Sequence, residues 1–401
     1  MADSLTDLPE GVLEEIVRRL PLLDSGNLAH LHPKLGRIYR QMIISELEEG
    51  GITWSDFVVL IDGVLTTHVG VLDRLSIRLS QNYSKQGNQG DIIAAATRWL
   101  AHGRRLHVSI LELEGISRGG GGVINRVITT INLQHFHNWE ELSQLHLSSI
   151  HFPVLDGVGT TTTLVSLPNL YYLDLQHIAM ADGNDLGNFL NGCPNLRRFT
   201  LHIGLGNGSL SLNLPLLELL EISHVRWIVT FTHLPSLTDF HLHSRDLIRF
   251  RVFGQPMSQV PIPWARRLIV STVQSLCITV LDDLRAVITF IQCFPSLRHL
   301  HLIWHAPTTI DRGFDHVYEL LSLDTVTIGG MSPWLDEPPV RVFVEYVLRH
   351  SPNLSRLSLV VPRHPHVRVL GDDYLSEICQ MIRELPRASQ QAQLECSWRH
   401  N

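Results

Sequence analysis

The chain has 401 residues, a formal net charge of -7 at neutral pH and an apolar fraction of 44%. It is long enough for two or three ordinary domains, or for one small domain plus an extended array, and apolar enough for a large core. The acidic balance gives no general attraction to nucleic acid or to an anionic membrane, and neither is expected as a partner.

The acidic start, Met1-Ala2-Asp3-Ser4, lacks the basic and apolar regions of a signal peptide. Residues 7–47 then read as three short amphipathic helices. Asp7 with Glu10 resembles a capping box, and Pro9 sits in the first turn, where its missing N–H costs nothing. Val12, Leu13, Ile16, Val17 and Leu20 recur at helical spacing, with Glu14, Glu15, Arg18 and Arg19 on the other side. Pro21 ends that helix, a second carries Leu28 and Leu31, and Pro33 opens a third containing Leu35, Ile38, Met42 and Leu47. Helices this short bury little alone and must dock on something.

The run Leu8-Pro9-Glu10-Gly11-Val12-Leu13-Glu14-Glu15-Ile16 resembles the Leu-Pro-x-x-hydrophobic-x-x-x-Ile opening of an F-box. The match continues through Leu20, Leu28 and His32-Pro33-Lys34-Leu35, although the basic-aromatic stretch usual at that last place is replaced. The resemblance implies that Leu8, Pro9, Val12, Ile16, Leu28 and Leu35 dock a Skp-family adaptor and, through it, a cullin scaffold. A plain cap on the array that follows is the alternative.

Residues 57–65 are the most apolar short window, but Asp62 and Gly63 interrupt it and it is too short to span a bilayer. Residues 71–79 alternate like a strand, residues 81–89 are a polar loop, and a helical pattern runs from Asp91 through Ile92, Ala95, Ala96, Trp99 and Leu100 to a strand at 108–113. This order is similar to the irregular first repeats of plant-type F-box proteins with leucine-rich repeats. Gly119-Gly120-Gly121-Gly122 lacks the following Lys-Ser or Lys-Thr of a phosphate loop and reads as a turn.

From Leu142 one pattern recurs, an apolar residue at positions 1, 4 and 6, often preceded by Pro-Asn or Pro-Ser. The copies are Leu142/Leu145/Leu147, Leu170/Leu173/Leu175, Leu196/Phe199/Leu201, Leu217/Leu220/Ile222, Leu237/Phe240/Leu242, Leu297/Leu300/Leu302, Leu323/Val326/Ile328 and Leu354/Leu357/Leu359. Their spacing, mostly 20 to 31 residues, is that of leucine-rich repeats, and Val273/Leu276/Ile278 is the candidate for a degenerate copy in the 60-residue gap before Leu297. Positions 4 and 6 of a strand share one side, so stacked copies make a parallel sheet backed by a leucine core. Breaks at 254–263, with Trp264 beside it, and at 329–339, with Trp334 inside it, read as inserted loops, and the chain past Pro386 as a polar tail, frayed or capping.

Positions 3, 5 and 7 then face away from the core. They place Tyr172, Asp174, Arg198, His202, Asp239, His241, His243, His299, His301 and Arg356 on a candidate target-binding surface. Same-face pairs such as His241 with His243, or His299 with His301, hold a transition metal only if a neighbouring strand supplies a third ligand. A pH-sensitive contact or an ordinary partner-facing surface are the other readings. No Gly-x-Ser-x-Gly elbow appears, the adjacent pairs Asp282-Asp283 and Asp372-Asp373 point apart, and Cys193 and Cys293 fall at inward repeat positions, so no catalytic residue is named. Five cysteines without a Cys-x-x-Cys pair fit buried thiols in a reducing compartment.

The expectation is an α/β leucine-rich-repeat solenoid, a horseshoe, preceded by a small three-helix F-box module. The helical module spans residues 1–48, the join 49–141, the repeats 142–385 and the tail 386–401. The expected function is non-catalytic: the substrate-recognition subunit of a Skp-cullin-F-box ubiquitin ligase, cytoplasmic or nuclear, with an unknown target protein, no cofactor and no metal. A binding scaffold with no ligase role is the runner-up.

Overall fold

The structure, a computed structural model, describes residues 9, 12, 41–44, 53–68, 71–79, 89–115, 129–131, 133–152, 165–207, 209–223, 228–243, 250–252, 255–256, 272–280, 284–304, 319–329, 338–362 and 371–399. It divides into two compact units: residues 1–196 with 204–207, and residues 197–203 with 208–401.

The first unit contains β1 (Gln41–Ile44), α1 (Trp54–Thr67), β2 (Arg74–Leu79), α2 (Gln89–Arg105), β3 (Ile110–Gly115), β4 (Thr129–Thr130), a 3-10 turn at Leu133–Phe136, β5 (Gln144–Ser148), β6 (Ile150–Phe152), β7 (Tyr172–Asp182) and α3 (Gly183–Asn191). Its parallel sheet runs β1-β2-β3-β5-β7. The apolar spacing becomes register: Leu75 pairs with Leu111, Leu111 with Leu145 and Leu145 with Leu173. Leu72/Leu75/Ile77 and Val108/Leu111/Leu113 are all buried, so the 1-4-6 pattern begins two strands upstream of Leu142. The β1 strand corrects one expectation. Met42, assigned to a third helix, lies in a strand with Met42 opposite Leu75 and Ile44 opposite Ile77, because its period-two pair matches the edge of β2.

The apolar window at 57–65 is the buried face of α1, which starts at Thr53, whose Oγ1 accepts from the Asp56 amide. Phe57, Ile61, Val64 and Leu65 are buried while Val59 is exposed. Asp62, which interrupts that window, ties α1 to α2: the Trp99 indole N–H donates to its Oδ1 at 2.9 Å and the Arg98 guanidinium to its Oδ2. Further along, β7 pairs first with β5 and then with β6. The change of partner falls at Ser149 and His177, which take φ of 58° and 52°. Left-handed backbone costs a non-glycine residue about 1–2 kcal/mol, offset here by the Ser149 amide donating to the Gln176 carbonyl at 2.9 Å.

The second unit contains the first part, residues 198–203, of β8 (Arg198–Asn207), then β9 (Ser209–Asn213), β10 (Leu219–Ser223), β11 (Ile228–His233), β12 (Asp239–His243), β13 (Phe250–Val252), β14 (Gln255–Pro256), β15 (Ser275–Val280), α4 (Leu284–Ile291), β16 (His299–Trp304), β17 (Thr325–Gly329), α5 (Pro338–His350), β18 (Arg356–Pro362), α6 (Gly371–Arg383) and β19 (Gln393–Arg399). Its large sheet is parallel, in the order β8-β10-β12-β15-β16-β17-β18-β19. Strand β15 carries the copy between Leu237 and Leu297, with Leu276 between Phe240 and Leu300 in register. The two shortest intervals, 21 and 20 residues from Leu196 to Leu237, are closed by strands β9 and β11, which form a second sheet with β13 and β14. Longer intervals are closed by helices such as α4 and α5. A strand return uses fewer residues than a helix with its two loops. Between the layers sits a phenylalanine cluster, with Phe240 5.5 Å from Phe231, 5.9 Å from Phe290 and 6.2 Å from Phe294.

The Pro-Asn/Ser-Leu signature has its own physical reason. Asn169 donates to the Glu140 carbonyl, Asn195 to Pro168, Asn353 to Leu321 and the Ser236 hydroxyl to Pro215, at 2.6–2.7 Å. Each side chain satisfies a turn carbonyl of the preceding repeat. One step into the repeat, backbone amides make a second ladder, Glu218 to Arg197, Thr238 to Glu218, Gln274 to Thr238, Arg298 to Gln274, Asp324 to Arg298 and Ser355 to Asp324.

Two features of the C-terminal end go beyond the sequence reading. The residues past Pro386, expected as a frayed or capping tail, take the capping form as a strand: β19 pairs with β18 from Arg356 opposite Gln393 to Pro362 opposite Arg399. Its Leu394 and Cys396 fall opposite Leu357 and Leu359, so a polar stretch with two apolar residues at the right interval suffices to cover the last strand. Cys379 on α6 and Cys396 on β19 are joined as a disulfide, Cα atoms 6.1 Å apart, rather than held as two thiols. The lack of a Cys-x-x-Cys motif hid a pair that the helix-strand packing brings together. No described helix is long and apolar enough to cross a membrane.

Candidate binding face

Position 5 of each repeat forms a row across the sheet. In the first unit it reads Ser76, Glu112, His146, Asp174, with consecutive members paired in register. Position 7 adds Arg78, Glu114, Ser148 and Gln176, and position 3 adds Arg74, Ile110, Gln144 and Tyr172. The charges are matched across strands: Arg74 reaches Glu112 at 2.6 Å and Arg78 reaches Glu114 at 2.8 Å. His146 Nδ1 lies 2.7 Å from Asp174 Oδ2, and Gln176 Nε2 donates to the same oxygen at 3.0 Å. Asp174 is 6% exposed. Its hydrogen bond to His146 holds the imidazole pKa above the ordinary value against the opposing effect of burial, with the charges of Asp174, Glu112 and Glu114 adding to it.

In the second unit the position-5 row reads Thr200, Glu221, His241, Cys277, His301, Thr327, Ser358, Glu395. Arg198, His299, His301 and Arg356 are exposed, whereas His202, Asp239, His241 and His243 are half-buried. His243 Nδ1 is 2.7 Å from Thr279 Oγ1, and His299 Nδ1 is 2.8 Å from Thr325 Oγ1. Asp239 accepts from the Thr238 hydroxyl at 2.8 Å. Arg356 Nε donates to Glu395 Oε2 at 3.0 Å, an exposed ion pair worth little on its own. The expected target-binding residues therefore share the outer face of the strands, in two groups: Tyr172 and Asp174 in the first unit, the remaining eight in the second.

The same face bears on the other chemistries considered. Among the described residues no three His, Cys, Asp or Glu side chains are grouped to hold a metal ion. Cys277, set between His241 and His301, has its thiol pushed up to about 11 by burial and by the Glu221 charge, and burial pushes Cys193 and Cys293 up to about 12. None of the three is a thiolate near neutral pH. A cavity of about 250 Å³ lies off this face, lined by Ile291, Phe294, Leu297, Leu320 and Leu323. Its described lining holds Glu319 and no Lys or Arg.

Sequence reasoning passed over Arg74, Arg78, Glu112, Glu114, Cys277 and Glu395. The signal was present for the first four, since Leu72 and Val108 open copies with the same internal spacing. Of the expected adaptor-docking residues, Pro9 and Val12 are exposed, and the Val12 amide donates to the Pro9 carbonyl at 2.9 Å. Leu8, Ile16, Leu28 and Leu35 lie outside the described residues, as do Trp264 and Trp334. Compared with models of known protein families and with curated proteins, the chain matches none.

Proposed function

We propose that this chain is the substrate-recognition subunit of a Skp-cullin-F-box ubiquitin ligase, docking a Skp-family adaptor through its N-terminal segment and a target protein through the outer face of its repeats. The observation that carries the reading is a pairing: a Leu-Pro-x-x-Val-x-x-x-Ile opening at residues 8–16 stands ahead of parallel strands that turn an in-register polar face outward. The chain would supply proximity, raising the local concentration of target lysines near a recruited transfer enzyme, with no chemistry of its own. Val12, 44% exposed, is an apolar side chain suited to a partner.

One observation favours a second reading. β1 covers the edge of β2 within the segment expected to be the third docking helix, as a simple cap would, and a repeat scaffold without ligase function follows from that. Capture of a Skp-family adaptor by the full chain decides between them. The ligase reading expects capture by the parent and loss in a folded Leu8→Asp, Pro9→Ala variant. No capture by a folded parent leaves the scaffold.

A further inference from the structure

Asp174 is more than nine-tenths buried and carries an unmet bond. Both donors within reach, His146 Nδ1 and Gln176 Nε2, lie on Oδ2, while Oδ1 is covered from solvent and has no hydrogen-bond partner among the described residues. A buried carboxylate oxygen left without a donor is destabilising, and a charged N–H is the donor that relieves it best. Register puts Asp174, His146 and Glu112 side by side at position 5 of β7, β5 and β3, with Glu114 two residues beyond Glu112. Glu112 and Glu114 are offset by the guanidiniums of Arg74 and Arg78, and among the described residues Asp174 shares its charge with the His146 imidazole alone. A metal ion finds no three convergent ligands among the described residues, and Glu112 and Glu114 are already engaged by Arg74 and Arg78.

We propose that the row Glu112, His146, Asp174 is the receptor for one basic side chain, lysine or arginine, of the target protein, with Asp174 Oδ1 as its acceptor. The proposal rests on the reading of the strand face as the target-binding surface and adds the chemistry that surface recognises. His146 and Gln176, the two donors on Oδ2, are part-exposed side chains. The bound cation would share Asp174 with His146 and lie within the field of Glu112.

The test uses the full chain with its histidines carbon-13 labelled, titrated with N-acetyl-argininamide and with neutral N-acetyl-glutaminamide. The His146 signal is identified by its loss in His146→Gln. The arginine probe is expected to shift that signal saturably and to move its titration midpoint down in pH, while the glutamine probe does neither. Asp174→Asn is expected to weaken the arginine probe by about tenfold or more, and Asp324→Asn, in the other unit and outside repeat positions 3, 5 and 7, to leave it unchanged. Should Asp174→Asn not fold, Glu112→Gln replaces it, with a severalfold weakening expected. No saturable shift at His146 in the folded parent, or unchanged affinity in the folded row variant, overturns the proposal. Adaptor capture is scored separately: capture without row-dependent probe binding overturns the receptor and spares the ligase reading, and the reverse result spares the receptor alone.

Discussion

Asn195 reaches back across one repeat to donate to the Pro168 carbonyl at 2.7 Å. The same contact recurs from Asn169 and Asn353, which makes it a brace between repeats rather than a local turn. Replacing Asn195 or Asn353 with Ala is expected to lower stability by about 0.5–1.5 kcal/mol each. Unchanged urea midpoints in both variants would mean the carbonyls are equally well served by water.

Two glycines are set by the space around them. A Cβ at Gly192 would overlap the Val165 carbonyl, in a stretch where the Gly192 carbonyl also accepts from the Leu167 amide. A Cβ at Gly103 would meet the ring of fully buried Trp139 at 2.9 Å. Gly192→Ala must displace backbone and is expected to cost about 2–4 kcal/mol; Gly103→Ala presses on a ring held by its N–H bond to the Val108 carbonyl and is expected to cost about 1–3 kcal/mol. Urea denaturation of each variant gives the order, and a Gly192→Ala no worse than Gly103→Ala would contradict the backbone overlap.

The parallel core and its outward face are legible in the spacing of the apolar residues, for a definite reason. Leucines at positions 4 and 6 specify both a strand and its inward side, so the residues facing away from the core follow from the same count. What spacing does not encode is which side chains on the outer face find one another. His146 and Asp174 are 28 residues apart, and only the register of β5 on β7 makes them partners. Nor does composition reveal that Met42 joins a strand or that Cys396 meets Cys379, since both depend on which edge is left open when the array is assembled.

The His146–Asp174 pair gives stability a pH dependence of known sign. Bonding to Asp174 raises the folded-state pKa of His146 above its unfolded value, so the folded state binds the proton more tightly. That contribution is fully present below the unfolded histidine pKa of about 6.5 and is lost as pH rises through the folded pKa. Burial lowers the pKa of His135 and His177, which act oppositely and lose stability as pH falls below the unfolded value. The difference in unfolding free energy between the parent and His146→Gln, followed by urea titration across this range, is expected to be largest at the acid end and to shrink toward alkaline pH. A constant difference would assign His146 a packing role only.

The strand beyond Pro386 makes the last prediction a test of how the array ends. β19 covers the edge of β18, the Ser389 hydroxyl donates to the Leu354 carbonyl at 2.8 Å, and the Ala388 amide donates to the Leu348 carbonyl at 2.8 Å. Deleting residues 386–401 leaves β18 an unpaired edge and is expected to cause self-association as well as lost stability. The Cys379–Cys396 disulfide closes a short loop with a sequence separation of 17, for which chain-entropy reasoning gives about 3 kcal/mol. Denatured, unreduced protein is therefore expected to titrate as three thiols, Cys193, Cys277 and Cys293, and reduced protein as five. Cys396→Ser is expected to be less stable than the parent without reductant and equal to it with reductant. Five thiols before reduction would leave backbone pairing to hold β19 without the disulfide, and the truncation would then measure that pairing directly.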